Sequence, residues 1–100
     1  MRLSEYEQKT IRDLARETFG RDSRVFIFGS RVDDTRRGGD IDILIQTNLS
    51  GRTARARKIH YVVALKKKIG DREIDVVIKG NDSRHKPIFD VALEEGVELK

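Results

Sequence analysis

Three aspartates and a glycine–serine pair carry the chemistry open to this chain. Asp40 and Asp42 open the alternating run DIDILIQ, and Asp75 interrupts a second apolar run, REIDVVIK. Side chains two apart on a strand point to the same side. A strand over Asp40–Gln46 therefore puts Ile41, Ile43 and Ile45 on one face and Asp40 and Asp42 on the other. A strand over Arg72–Lys79 groups Ile74, Val76 and Ile78, with Asp75 opposite them beside Glu73 and Val77. If the two strands are neighbours, the three aspartates converge on the face that helices leave uncovered. Two carboxylates about 4 Å apart repel by roughly 4 kcal/mol at an effective dielectric of 20. A hard divalent cation with oxygen ligands removes that cost, and Mg²⁺ is commonly held by one or two carboxylates plus substrate phosphates. Two such ions ~3.5–4 Å apart can clamp both oxygens of a phosphoryl displacement. The plainer alternative is three aspartates on a solvated sheet face. Repetition of the pattern on a second strand tells against it.

Gly29 and Ser30 close the β-rich run RVFIF. A glycine there lets the backbone approach a ligand, and the turn after it can aim N–H groups and a hydroxyl at phosphate oxygens. Alone, the pair is what any strand-ending turn looks like. Followed by D-x-D at the head of the next strand, it reads as a phosphate clamp beside a metal site. Arg31 is placed to contact phosphates or to lie exposed as a structural arginine.

The elements that must position these groups are legible in outline. Ser4 and Glu7 form a capping box ahead of Ile11, Leu14, Ala15, Thr18 and Phe19 at helical spacing, and Gly20 stops the helix. Strands follow over Arg24–Phe28 and Asp40–Gln46, joined by a polar turn or short helical segment over Val32–Gly39. Ala54–Ile69 carries Ala54, Ile59, Val62, Val63, Ala64 and Ile69 in a helical pattern ended by Gly70. The third strand is Arg72–Lys79, and Pro87 opens a last helix through Glu95. The order α-β-β-α-β-α predicts an α/β (α+β) fold: a small mixed β-sheet with helices packed on one face.

One hundred residues without a linker or repeat make a single domain over 1–100. There is no cysteine, hence no disulfide or thiolate chemistry, and two histidines make a zinc site improbable. His60 in the second helix and His85 between Arg84 and Lys86 read as surface or packing residues. Tyr6, Phe26 and Phe28 read as core or partner-facing aromatics. No apolar run is long enough to span a bilayer and no signal peptide is evident, so a soluble, cytoplasmic protein without membrane contact is expected. The net charge of +4 comes from one segment: residues 49–70 hold Arg52, Arg55, Arg57, Lys58, Lys66, Lys67 and Lys68 and no acid. Such a stripe attracts polyanions, although no aromatics are interleaved for base stacking. A solvated helix face is the alternative, and nucleic acid is a possible but not the favoured partner.

Gly29-Ser30, nine residues, Asp40-Ile41-Asp42 and a distant Asp75 in an apolar strand resemble the polymerase-beta-type nucleotidyltransferase superfamily. The GSR start, the GGDIDILI strand and the ending FDVALEEGVELK are similar to its minimal branch, the MNT-type domains that act as antitoxins beside HEPN partners. The resemblance implies a nucleotidyltransferase-like fold, with Asp40, Asp42 and Asp75 as catalytic residues and ligands of two Mg²⁺ ions. It implies that Gly29, Ser30 and Arg31 bind the nucleotide. The implied reaction transfers AMP from ATP to a protein hydroxyl, a tyrosine of a HEPN toxin ribonuclease, within a hetero-oligomer. Two alternatives stand beside it: a non-catalytic antitoxin that neutralises its partner by binding, and an RNA-binding module led by the basic segment.

Overall fold

A computed structural model describes residues 3–29 and 40–100. Helix α1 (Glu5–Phe19) leads into strand β1 (Arg24–Phe28), followed by β2 (Ile41–Gln46), α2 (Gly51–Ile69), β3 (Ile74–Lys79), α3 (Pro87–Glu95) and β4 (Val97–Leu99). Among the described residues the sheet has the order β3-β2-β1-β4. β1 is antiparallel to both β2 and β4, whereas β2 and β3 run parallel. Parallel neighbours need a crossover, and α2 supplies it. This is the small α+β fold with a mixed sheet that the sequence implies. The stretch Val32–Gly39 lies outside the described residues.

The local signals act as expected in α1. Its Ser4 Oγ accepts from the Glu7 N–H (3.1 Å) and the Glu7 carboxylate accepts from the Ser4 N–H (2.9 Å), which satisfies two orphan donors of the first turn. α2 begins earlier than Ala54, because Ser50 caps it and accepts from the Thr53 N–H at 3.1 Å. Its buried face also differs from the expected one. Ala54, Tyr61 and Leu65 are fully buried, while Ile59 and Val63 are 71% and 47% exposed. At 3.6 residues per turn these two lie about 140° and 180° around the axis from Ala54, so they cannot join it against the sheet. Tyr61 is the larger anchor. Its ring meets Phe19 edge-on at 5.2 Å, and its hydroxyl donates to the Ile11 carbonyl at 2.9 Å. Burial pushes the phenol well above its ordinary pKa, so it stays a donor at every accessible pH. Tyr61→Phe is expected to cost about 1 kcal/mol, because it removes a buried hydrogen bond that ties α2 to α1. A drop of ~5–10 °C in melting temperature, read by circular dichroism, is the check.

The main core lies between the sheet and α1 and α2. Ile11, Ala15 and Phe19 meet Val25, Ile27, Ile41, Ile43, Ile45, Val76 and Ile78 there. The helices do not all pack on this face. Phe26, Phe28 and Leu44 form a second apolar cluster with Phe89 and Ala92 of α3, backed by Val77 and Leu93. α3 thus crosses the opposite side of the sheet, because β1 is apolar on both faces and would otherwise expose two phenylalanines. Phe26 and Phe28 are core, as one of the two readings had it, whereas Tyr6 is exposed. β4, absent from the expected elements, pairs with β1 through Val25–Leu99 to Ile27–Val97. Arg24 clamps it with two charge-assisted bonds to Glu98, at 3.0 and 2.7 Å. Gly96 makes the tight passage from α3 to β4 possible: a Cβ there would overlap the Ala92 carbonyl and sit 3.0 Å from that of Ile27. No helix among the described residues is long and apolar enough to cross a membrane.

Candidate active site

Three neighbouring strands bring the acidic end of the sheet together. The β1–β2 register sets Phe28 opposite Asp42, and the β2–β3 register sets Asp42 opposite Asp75. Register partners share a face, so Phe28, Asp42 and Asp75 form one row, with Phe26, Leu44 and Val77 as the next. Phe89 and Ala92 of α3 pack with Phe26, Phe28 and Leu44, the apolar members of both rows. Backbones of paired strands lie about 4.8 Å apart, which is carboxylate-to-carboxylate reach. Asp75 is exposed rather than turned into the core, and Asp42 is half-buried. Asp40 is exposed where the chain enters β2, and the Ile41 N–H after it already donates to the Glu73 carbonyl at 2.9 Å.

Electrostatics register the convergence. The Asp42 carboxyl is held above the ordinary aspartate range, first by burial and then by the negative charges of Asp75 and Asp40. Asp42 therefore senses the charge of both other aspartates.

Gly29 joins them in a way that the sequence does not announce. It ends β1 at φ +75°, in the left-handed region that side chains avoid. A Cβ at this position would overlap Asp42 Oδ2 and come within 3.2 Å of its Cγ. The glycine is thus a cradle for the Asp42 carboxylate. Ser30 and Arg31, which complete the expected nucleotide clamp, lie outside the described residues.

The donor set is open. Among the described residues no group of three or more histidine, cysteine or acidic side chains is placed to hold a metal ion. An Asp42–Asp75 pair with Asp40 at its margin is instead the chemistry of a hard cation that takes one or two carboxylates and completes its shell with water and phosphate oxygens. The histidines take no part in this row. His60 is exposed on α2, and His85 Nε2 lies 2.7 Å from the Asp90 carboxylate.

Comparison with known proteins agrees with the fold. A family model described as "Nucleotidyltransferase domain" matches residues 8–98, which takes in all four strands but for the last residue of β4. No curated protein matches the chain.

Proposed function

Since the chain belongs to the nucleotidyltransferase domain family, we propose that it is a metal-dependent adenylyltransferase of the minimal, MNT type, acting as antitoxin to a HEPN ribonuclease. The observation that carries this reading is the Asp42–Asp75 register pair beside the Gly29 cradle. Clustered like charges cost stability, and a surface used only for binding has no need of them. A nucleotide's Mg²⁺ turns the cost into affinity.

In this reading Asp40, Asp42 and Asp75 would hold two Mg²⁺ ions, which would supply neutralisation of phosphate charge and polarisation of the attacked phosphorus. Gly29, Ser30 and Arg31 bind the triphosphate. The acceptor is a hydroxyl, a tyrosine of the HEPN partner. Its oxygen attacks the α-phosphorus of ATP in line, the bond from that phosphorus to the bridging oxygen of the β-phosphate breaks, and pyrophosphate leaves with the bonding pair. Asp75, the exposed member of the row, takes the hydroxyl proton. AMP ends as a phosphodiester on the tyrosine, and the ribonuclease is silenced.

The test mixes the chain with a HEPN partner, ATP and Mg²⁺ and weighs the partner by intact mass spectrometry. An AMP-sized increment is expected with the wild type and is expected to vanish with Asp75→Asn. A partner that is neutralised without any increment, under Mg²⁺ or Mn²⁺, overturns transfer in favour of simple occlusion.

A further inference from the structure

The open edge of the sheet carries a second feature. Among the described residues β3 has β2 as its one hydrogen-bonded neighbour. The Ile41 N–H donates to Glu73 and the Thr47 N–H to Lys79, at 2.9 and 3.0 Å. In a parallel ladder alternate residues turn both backbone groups toward the same neighbour. Glu73, Asp75, Val77 and Lys79 therefore face β2, and Ile74, Val76 and Ile78 present their N–H and C=O outward. Beside this edge runs a groove of about 230 Å³ lined by Arg55 and Lys58 of α2, Lys86 of the loop before α3, and Val76–Ile78. It continues into a second hollow that shares Arg55 and Lys86 and adds Arg84. The acid in that hollow, Asp82, accepts from the Gly51 N–H at 2.8 Å and is committed to the start of α2.

We infer that the β3 edge docks an extended, acidic segment of a protein partner as an added strand. An edge that offers donors and acceptors in alternation is matched by peptide backbone, and flanking cations select acidic side chains. Phosphodiester oxygens only accept, so phosphate contacts alone would leave the outward carbonyls of β3 unpaired. Nor do the cations of α2 form one track for a polyanion. Arg57 is turned the other way, donating to the Thr18 carbonyl of α1 at 3.1 Å. Asp75 lies in the same strand, so a docked segment runs alongside the candidate active site. Docking itself stands whether or not those carboxylates perform transfer.

The experiment uses the full ¹⁵N-labelled chain without nucleotide and four probes: a capped peptide alternating Glu and Val, its Lys–Val counterpart, the Glu–Val peptide N-methylated at alternate residues, and an oligouridylate. The Glu–Val peptide is expected to slow amide exchange at Val76 and Ile78 by about tenfold or more at saturation, leaving Asp75 and Val77 unchanged. N-methylation, or the pair Lys58→Glu and Lys86→Glu in a variant that melts like wild type, is expected to weaken binding by about tenfold. The charge-reversed variant is expected to prefer the Lys–Val peptide. Absence of Glu–Val binding overturns the inference, as does binding that leaves Val76 and Ile78 unprotected. An oligouridylate that binds more tightly than the peptide assigns the groove to nucleic acid and also overturns it. None of these outcomes bears on AMP transfer, which the partner's mass reads separately.

Discussion

Asp42→Asn is expected to abolish transfer while making the protein more stable. A neutral amide keeps the shape of the side chain and removes the charge that Asp75 and Asp40 oppose. The activity loss should be on the order of 10³-fold, the scale at which one preorganised electrostatic contact to a reacting phosphate or oxyanion is worth ~4 kcal/mol. Stability should move the other way. A carboxyl whose folded pKa is raised contributes stability that is complete below its unfolded value and is lost as pH rises through the folded one. At neutral pH the wild type has lost that contribution, and the amide that replaces the carboxyl has none to lose. The carboxyl is only half-buried, so solvent screening limits the gain to a few °C in melting temperature. Melts from acidic to neutral pH should show the two proteins converging as the pH falls. Adding Mg²⁺ and a non-hydrolysable ATP analogue should reverse the order. Ligand at 100 times its dissociation constant stabilises the wild type by about 2.7 kcal/mol, and the variant by much less. A variant that melts below the wild type at neutral pH without ligand would show that no repulsion is stored in the row.

Gly29→Ala is expected to damage both the fold and the site. The residue sits at φ +75°, where a side chain costs about 1–3 kcal/mol, and the new Cβ also overlaps the Asp42 carboxylate. Together these should lower stability by roughly 2–4 kcal/mol, or ~10–20 °C. The displaced carboxylate should take activity down with it. A double-mutant cycle separates the two causes. In an Asp42→Ala background the overlap is gone, so Gly29→Ala should cost only the backbone strain, with a coupling of at least ~1 kcal/mol by chemical denaturation. Strictly additive costs would mean that glycine serves the turn alone and that the cradle for Asp42 is incidental.

How much of this was legible beforehand depends on the range of the interaction concerned. Period-two alternation in DIDILIQ and REIDVVIK assigns the aliphatic and acidic faces of β2 and β3 correctly, because side-chain direction on a strand is set by the backbone alone. The capping box at Ser4 and the stops at Gly20 and Gly70 are equally local. Helix α2 is where local reading falters. Arg and Lys fill so much of it that apolar residues mark two faces, and the choice of Tyr61 and Leu65 over Ile59 and Val63 is made by Phe19 and the sheet. The continuous apolar stretch in RVFIF was a hint that both faces of β1 are covered, yet nothing in it says that α3 does the covering. β4 is three residues long, too short for any period to show.

The kinds of groups available for catalysis, and the side of each strand on which they stand, follow from residue order, since neighbours along a chain are bound by bond geometry. Who stands next to whom does not. That Asp75 is level with Asp42, that Gly29 leaves room for an oxygen of Asp42, and that Arg55 and Lys58 meet Lys86 along an open strand edge are all contacts between distant segments. Such contacts are chosen when the hydrophobic faces of sheet and helices close on one another. Strand register is shared by every pair in a ladder, so the burial of Ile41, Ile43, Ile45, Val76 and Ile78 is what finally brings two charges side by side.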